Sequence, residues 1–130
     1  MVNILRYCII CSTRLVPYAY TFARNVEVVE TDKNHEWIDI NIIKSFPISG
    51  PYCAICVEKV IHSRFSEWGV KNISYDTGVF TACGKCYADV DKTKPHVVYN
   101  IIEEVYVGVD SENATCEGVA TICNRCDSNF

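Results

Sequence analysis

The chain has 130 residues, of which 49% are hydrophobic and 22% charged, with a formal net charge of −4. This length suits one domain with a modest core, and the apolar content excludes an intrinsically disordered protein. Nucleic-acid-binding proteins usually carry a basic excess on one face, so the negative charge argues against that class.

The first part of the chain is predicted to be extended. Residues 1–7 are apolar enough for a short strand, and 15–23 are expected to be irregular or extended because a proline interrupts them. Apolar and polar residues alternate along 37–45, which is the period of a strand. Together with the valine-rich run 25–31 and a turn signal at 32–35, this segment predicts a β-hairpin.

A helix is predicted at 57–68, because apolar residues recur there at helical spacing. Gly69 follows at the position where glycine commonly ends a helix. A helix directly after a cysteine pair suits a treble-clef-like unit, in which the metal fixes the helix start. Two short strands are predicted at 70–75 and 78–82, around a turn.

The last part of the chain is predicted to contain a loop, a second helix and a short strand. Residues 87–95 are charged and are expected to form a loop. Apolar residues in 96–107 form a helical stripe, and although their β-branched content favours a strand, we predict a helix. Residues 110–115 are predicted to be a polar loop, and 119–122 a short strand.

Four Cys-x-x-Cys pairs carry the strongest functional signal in the chain. A tetrahedral zinc ion takes four thiolates, and a two-residue spacing lets one tight turn supply two of them. The pairs therefore predict two four-cysteine sites that hold two zinc ions per chain. The predicted ligands are Cys8, Cys11, Cys53, Cys56, Cys83, Cys86, Cys123 and Cys126.

The four pairs fall into two sequence kinds. The first two read Tyr-Cys-x-Ile-Cys, and the last two read Thr-x-Cys-x-basic-Cys. If each metal takes one pair of each kind, the connection is either interleaved (first with third, second with fourth) or nested (second with third, first with fourth). We favour the interleaved connection, because its two spans, from Cys8 to Cys83 and from Cys53 to Cys123, are nearly equal.

A zinc ion with four thiolate ligands has no open coordination position, so such a site stabilises structure and does not activate water. Its binding free energy, on the order of 10 kcal/mol, predicts that the metal-free chain is largely unfolded. Basic residues near each pair either offset the negative charge of the zinc–thiolate centre or are solvated surface charges. They are Arg14, Lys59, Lys85 and Arg125.

Other interpretations of the cysteines and histidines stay open. No secretory signal is evident, which favours thiols over disulfides. A redox dithiol at Cys83–Cys86 would need a helix that the following residues do not predict. Cys116, outside the four pairs, could replace a ligand, react as a thiol or be a small buried side chain. His62 or His96 could be a ligand if one cysteine is not.

No grouping typical of an active site stands out, and no catalytic residue is predicted. Trp37 and Trp68 are expected to anchor the core, and His35 is expected to be solvated. Exposed tyrosines could serve an interface with another protein.

The stretch from Cys53 resembles a RING finger. Residues 53–58, Cys-Ala-Ile-Cys-Val-Glu, look like the opening motif of that family, 81–87 like its central segment, and 123–126 like its closing pair. The resemblance implies an interleaved cross-brace of two zincs, and the family's ubiquitin-ligase activity would place Ile55 or Ile10 in the groove for a conjugating enzyme. This chain departs from the family pattern at its central histidine, at the proline of its closing pair and at the basic residue just after that pair. These positions hold Lys85, Asn124 and Asp127.

The chain also resembles small zinc proteins of large DNA viruses, including the RING-like or U-box-like nucleocapsid-assembly proteins of baculoviruses. We therefore expect an α+β fold over 1–130, a small zinc-stabilised domain with a RING-like cross-brace, an added β-hairpin (25–46) and one or two short helices. The expected function is a non-enzymatic protein–protein interaction module, as a viral structural or nucleocapsid-assembly factor. The alternatives are a RING-type ubiquitin ligase and a zinc-ribbon nucleic-acid binder.

The expected partner is a protein, such as other viral structural proteins, and neither a membrane nor nucleic acid. The expected location is intracellular, in the cytoplasm or nucleus, or in the virion. The sequence leaves the oligomeric state open.

Overall fold

The computed structural model describes residues 6–31, 38–71, 79–107 and 110–127. Within these ranges the chain forms a mainly antiparallel β-structure with one helix. In chain order the elements are β1 (Tyr18–Thr31), β2 (Ile38–Tyr52), α1 (Ala54–Trp68), β3 (Phe80–Ala82), β4 (Asp89–Asp91), β5 (His96–Val107) and β6 (Asp110–Ile122).

Two long hairpins build the main sheet, in which the strand order is β2-β1-β5-β6. One hairpin is β1 with β2, and the other is β5 with β6. The hairpins join through antiparallel pairing of β1 with β5, in which Tyr18 lies opposite Val105 and Glu27 opposite His96. The start of β1 and the start of β5 therefore lie at opposite ends of the sheet, roughly 30 Å apart at 3.3 Å per residue.

The helix α1 packs an aromatic cluster onto one face of this sheet. The ring of Phe22 in β1 lies 6.0 Å from that of Phe65, 6.1 Å from that of Trp68 and 5.8 Å from that of Tyr99 in β5. Phe22 is fully buried. These contacts explain the helical spacing of apolar residues in α1, and they confirm that Trp68 packs against the core.

Several predicted elements are confirmed. The hairpin predicted at 25–31 and 37–45 is the centre of the longer pair β1 and β2. The predicted helix is α1, and Gly69 ends it in the left-handed conformation (φ 74°). The strand predicted at 78–82 corresponds to β3, and the strand predicted at 119–122 is the end of β6.

The helix predicted at 96–107 is wrong, because this segment is the strand β5. It lies in the middle of the sheet between β1 and β6, and all five residues from His96 to Asn100 are buried. A strand covered on both faces has no polar alternation, so its apolar residues can also match a helical stripe. The β-branched content was the better indicator.

Two predicted loops are also corrected. The polar segment 110–115 begins β6, because its backbone pairs with the end of β5 regardless of side-chain polarity. The loop predicted at 87–95 contains the short strand β4, which pairs with β3.

Some predictions fall outside the described residues. They are residues 1–5 of the first strand, the turn at 32–35 with His35, Trp37, and most of the strand predicted at 70–75. The side chain of Cys116 in β6 also lies outside the described part.

Candidate metal centres

The structure brings all eight paired cysteines together in two groups of four. We name them cluster A (Cys8, Cys11, Cys53 and Cys56) and cluster B (Cys83, Cys86, Cys123 and Cys126). Within each cluster the four Sγ atoms all lie within 4.8 Å of one another. Each group therefore offers one complete four-thiolate ligand set.

The sulfur spacing fits zinc and does not fit disulfides. Four sulfurs at 2.3 Å from a zinc ion in a tetrahedron lie roughly 3.8 Å apart. The Sγ atoms of Cys11 and Cys53 are 3.7 Å apart, and those of Cys86 and Cys123 are 3.6 Å apart. A disulfide would require about 2.05 Å. The eight cysteines are all free thiols, which agrees with the expectation of thiols over disulfides.

Both predicted connections between the pairs are wrong. Cluster A joins the first pair to the second, and cluster B joins the third to the fourth. This arrangement is sequential, whereas the interleaved and nested schemes each connected an early pair to a late one. The cross-brace implied by the RING resemblance is therefore not the arrangement in this protein.

The hairpins explain the sequential connection. Tyr20 near the start of β1 lies opposite Tyr52 at the end of β2, so the segment before one strand meets the segment after the other. The backbone N–H of Ile9 donates to the carbonyl of Pro51 (3.1 Å), which holds the first pair beside the second. Val97 lies opposite Ile122 in the same way at cluster B. Each cluster thus closes the open end of one hairpin.

The first pair of each cluster is a knuckle with one shared conformation. The N–H of Cys8 donates to the carbonyl of Thr13, and the N–H of Ser12 donates to that of Cys8 (2.8 and 2.9 Å). In cluster B the N–H of Cys83 donates to the carbonyl of Ala88, and that of Tyr87 to Cys83, with the same lengths (2.8 and 2.9 Å). The fourth residue after the first cysteine has a positive φ in both knuckles, 63° at Ser12 and 64° at Tyr87.

The second pair of each cluster is a helical turn. The N–H of Val57 donates to the carbonyl of Cys53 (3.0 Å), and that of Asp127 donates to the carbonyl of Cys123 (3.0 Å). Cys53 is the N-cap of α1, and its Sγ accepts from the N–H of Cys56 at 3.4 Å. The positive end of the helix dipole therefore points at the thiolates of cluster A.

Conformation and sequence thus divide the pairs differently. By sequence the first pair matches the second, whereas by conformation the first matches the third and the second matches the fourth. Each cluster takes one knuckle and one helical turn, separated by a hairpin. The chain is therefore a tandem repeat of a knuckle–hairpin–turn unit, which its sequence does not reveal. The first unit continues directly into α1, which begins at Ala54.

The protein lowers the pKa of one thiol in each cluster, so these two thiols can lose their protons before a metal binds. Burial raises the pKa of the Cys8 thiol, but backbone N–H groups of Cys11 and Cys53 lower it by more, and the pKa falls from 9.0 to about 6. For Cys86 the backbone at Ala88 is the largest influence, and the pKa also falls to about 6. Both clusters therefore present thiolate, the form that binds metal, near neutral pH.

In each cluster another thiol keeps its proton. Hydrogen bonding to the side chain of Cys53 raises the pKa of Cys56 to about 12, and hydrogen bonding to Cys123 does the same for Cys126. These thiols are hydrogen-bonded to neighbouring sulfur atoms of the same cluster. A metal ion that entered the cluster would displace their protons, because all four ligands must be deprotonated.

Backbone N–H groups and the hydroxyl of Thr13, and not basic side chains, make the described contacts to the sulfurs. The N–H groups of Lys85 and Cys123 donate to the Sγ of Cys83 at 3.4 and 3.3 Å. Arg14, Lys59 and Arg125 are exposed. Neutral backbone donors can offset part of the negative charge that a zinc–thiolate centre carries.

The two described histidines lie outside the two clusters. His62 is exposed on α1, and His96 is buried at the start of β5. Since each cluster is complete with four cysteines, neither histidine is needed as a ligand. The pair Cys83–Cys86 is followed by β4 and not by a helix, which does not match the context of a redox dithiol.

Comparison of the chain with protein-family models, curated proteins and solved structures finds no match in any of the three. The fold and the two clusters themselves define the class: a small, mainly antiparallel protein with two four-cysteine centres that fit zinc. Over the residues that the structure describes, no helix is long and apolar enough to cross a membrane.

Proposed function

We propose that this protein is a zinc-stabilised interaction module in which two zinc ions hold the frame and exposed apolar side chains contact a protein partner. The observation that carries the proposal is that both clusters supply four thiolates. Such centres leave no coordination position for substrate or water, which favours a structural role over catalysis.

The apolar surface beside cluster A supports binding to another protein. The residues between its cysteines include Ile9, Ile10 and Ile55, which are 59%, 57% and 69% exposed. Tyr7 and Val16 flank the first knuckle and are 48% and 59% exposed. Because all these residues lie close in sequence to clustered cysteines, they form an apolar end on a rigid, metal-held support.

A structural or nucleocapsid-assembly role in a large DNA virus is the narrower form of this proposal. It is supported only by the resemblance to small viral zinc proteins. A ubiquitin-ligase role is the alternative for the same surface, since Ile10 and Ile55 are exposed where the RING resemblance would place a conjugating enzyme. A zinc-ribbon nucleic-acid binder is the remaining alternative.

The first test is metal dependence of the fold. We expect the purified chain to bind two zinc ions and to lose most of its circular dichroism signal when a strong chelator removes them, since metal binding supplies about 10 kcal/mol per site. Cobalt substitution should give the absorption of tetrahedral thiolate coordination. A chain that stays folded without metal would contradict the proposal.

The second test separates the alternatives. An autoubiquitination assay with a panel of conjugating enzymes should give no chains, and robust chains that Ile55→Ala abolishes would instead identify a ligase. A gel shift at low salt should show no binding to DNA or RNA. Ser63→Ala, an exposed change further along α1, serves as the control variant for Ile55→Ala.

A further inference from the structure

The outer edge of β2 is an exposed strand edge with apolar side chains. β2 lies at the end of the sheet order, and among the strands that the structure describes it pairs only with β1. Every described side chain from Asp39 to Ile48 is exposed, including Ile40 at 45% and Ile42 at 44%. A free edge of this kind presents unpaired backbone N–H and C=O groups, to which another strand can add.

A bulge in β2 determines which of its residues lie at consecutive cross-strand positions, here called levels, along this edge. Val26 in β1 lies opposite Lys44, whereas its neighbour Glu27 lies opposite Ile42. Ile43 is therefore an extra residue between two consecutive levels of the sheet. Any strand that adds to the outer edge faces the levels of Ile42 and Lys44 as neighbours.

We propose that the occupant of this edge is a second copy of the chain, paired antiparallel through β2 with Asn41 on the twofold axis. In this register Ile40 lies opposite Ile42 of the second copy. Asp39 lies opposite Lys44 of the second copy, and each contact occurs twice by symmetry. The pairing joins two four-stranded sheets into one continuous eight-stranded sheet.

Charge complementarity is the observation that favours a second copy over another strand. Asp39 and Lys44 are the charged residues of β2, and among the described residues neither has an ion-pair partner. A lysine on an edge strand usually discourages strand addition. Here the self-paired register supplies the opposite charge directly across from it, twice per dimer.

The two faces of the paired strands would differ in a consistent way. Ile40 and Ile42 lie opposite Val29 and Glu27 of β1, so they point to one face of the sheet and would form a cluster of four isoleucines across the axis. Asp39, Asn41 and Lys44 occupy the alternate levels and point to the other face. Apolar side chains would thus meet apolar ones, and each carboxylate would meet an ammonium group.

The register also explains where the contact ends. Pro47 has no N–H to donate, and proline in a sheet is found at edges where pairing stops. Asn41 lies six residues before it, so the paired segment around the axis is complete before the proline is reached. The part of β2 nearest to cluster A stays outside the contact and leaves the apolar end of the molecule free.

The test is sedimentation equilibrium of the zinc-loaded full chain from low to several hundred micromolar. We expect a reversible monomer–dimer equilibrium. Asp39→Lys and Lys44→Glu should each raise the dissociation constant roughly tenfold or more, because two attractive pairs become repulsive. Glu58→Lys and Lys59→Glu, matched charge reversals at exposed positions of α1, should leave the dissociation constant unchanged.

A mixing experiment makes the register specific. An equimolar mixture of Asp39→Lys and Lys44→Glu chains should form a heterodimer. In it, the lysine introduced by the first substitution faces the glutamate introduced by the second, and the unchanged Asp39 of one chain faces the unchanged Lys44 of the other. Both cross-strand pairs are then attractive. The double variant Asp39→Lys/Lys44→Glu should self-associate like the unmodified chain. Failure of the double variant to associate would overturn the register.

This inference rests on the proposed function, because the edge needs the zinc-stabilised frame, and it deepens that function by naming one partner. The outcomes are distinguishable. A folded, two-zinc chain that is monomeric at every concentration would end the dimer and leave the interaction module intact. A chain without zinc would end both.

Discussion

His96 is a buried histidine whose ring is held in one orientation. Its Nδ1 lies 2.8 Å from the carbonyl oxygen of Lys94, to which it donates, and the buried Nε2 has no hydrogen-bond partner among the described residues. Burial is the largest influence on its pKa and lowers it below the ordinary value of 6.5, although Glu27 acts in the opposite direction. The folded state therefore prefers the neutral imidazole.

The sign of the resulting pH dependence follows from linkage. Below pH 6.5 the unfolded chain binds a proton at His96 that the folded chain resists, so folding stability decreases as the pH falls towards the lower folded pKa. The loss cannot exceed about 1.4 kcal/mol per pH unit for one group. Above pH 6.5 the histidine is neutral in both states and contributes no pH dependence.

We expect His96→Gln to reduce this acid sensitivity. The free energy of unfolding of the zinc-loaded chain, measured by urea denaturation at pH 7.5 and at about pH 5.5, should fall less in the variant than in the unmodified chain. Acid also promotes zinc release from thiolates in both proteins. The difference between the two proteins in the loss of unfolding free energy therefore reports the contribution of the histidine. Equal losses in the two proteins would contradict the assignment. His62→Gln, at an exposed position, is the control.

At the scale of residues, the sequence predicted the ligand types but not their conformations. Cys-x-x-Cys spacing was enough to select the eight cysteines that the structure groups. It gave no indication that Ser12 and Tyr87 share a positive φ, because neither is glycine and most residues avoid that region. The two hydrogen bonds across each knuckle supply the constraint, and they become visible only in the folded chain.

An ion pair between elements connects the first hairpin to cluster B. Arg24 in β1 donates from Nη2 to Oδ2 of Asp127 at 2.7 Å, and the side chains are 16% and 4% exposed. The guanidinium also lies 5.9 Å from the ring centroid of Phe46 in β2. Asp127 directly follows the last cysteine of cluster B, so the pair fixes the end of that turn against the sheet.

We expect Asp127→Asn to lower the free energy of unfolding by about 2 kcal/mol, because it removes the carboxylate charge that a mostly buried guanidinium contacts at 2.7 Å. Guanidinium chloride would screen the interaction, so urea denaturation of the zinc-loaded chain is the suitable measurement. The matched control is Glu67→Gln. Its partner Arg64 lies 3.8 Å away and both side chains are exposed, so the loss should stay below about 0.5 kcal/mol. Similar losses in both variants would contradict the account.

At the scale of elements, burial decided which predictions held. The helix α1 was predicted because one of its sides faces solvent, so polar residues recur with the period of the helix. The hairpin β1–β2 was predicted from its valine-rich run and from the alternation in β2, although every described side chain of β2 from Asp39 to Ile48 is exposed. β5 was predicted as a helix because both of its faces are covered, which removes that period. The start of β6 was predicted as a loop because its polarity hides a backbone that pairs fully with β5.

The whole molecule is organised as two repeated units joined through β1 and β5. Each unit closes the open end of its own hairpin with four cysteines, so the two centres lie at opposite ends of the sheet. The helix α1 connects these ends: it begins at Cys53 of cluster A, and the N–H of Lys71 just after it donates to the carbonyl of Gly84 in cluster B (2.7 Å). The helix thus connects the two units, while each centre keeps its own complete set of four cysteines.

The connection between pairs could not be predicted from the sequence. The first two pairs resemble each other, and so do the last two, and each metal was therefore expected to take one pair of each kind. In the structure, each cluster instead contains two pairs of the same kind. For the first three pairs, the role as a knuckle or a helical turn depends on the element that comes after the pair in the chain. The helix α1 comes after the second pair, and strands come after the first and third. Local sequence at the cysteines does not encode that difference.

Native mass spectrometry of double cysteine variants tests the central claim most directly. If the connection is sequential, Cys8→Ser/Cys53→Ser removes ligands from one centre only and should retain one zinc ion. Cys8→Ser/Cys83→Ser removes a ligand from each centre and should retain none, or bind both ions much more weakly. An interleaved arrangement predicts the reverse, with zinc kept in the second variant and lost from the first, and that result would contradict this account of the molecule.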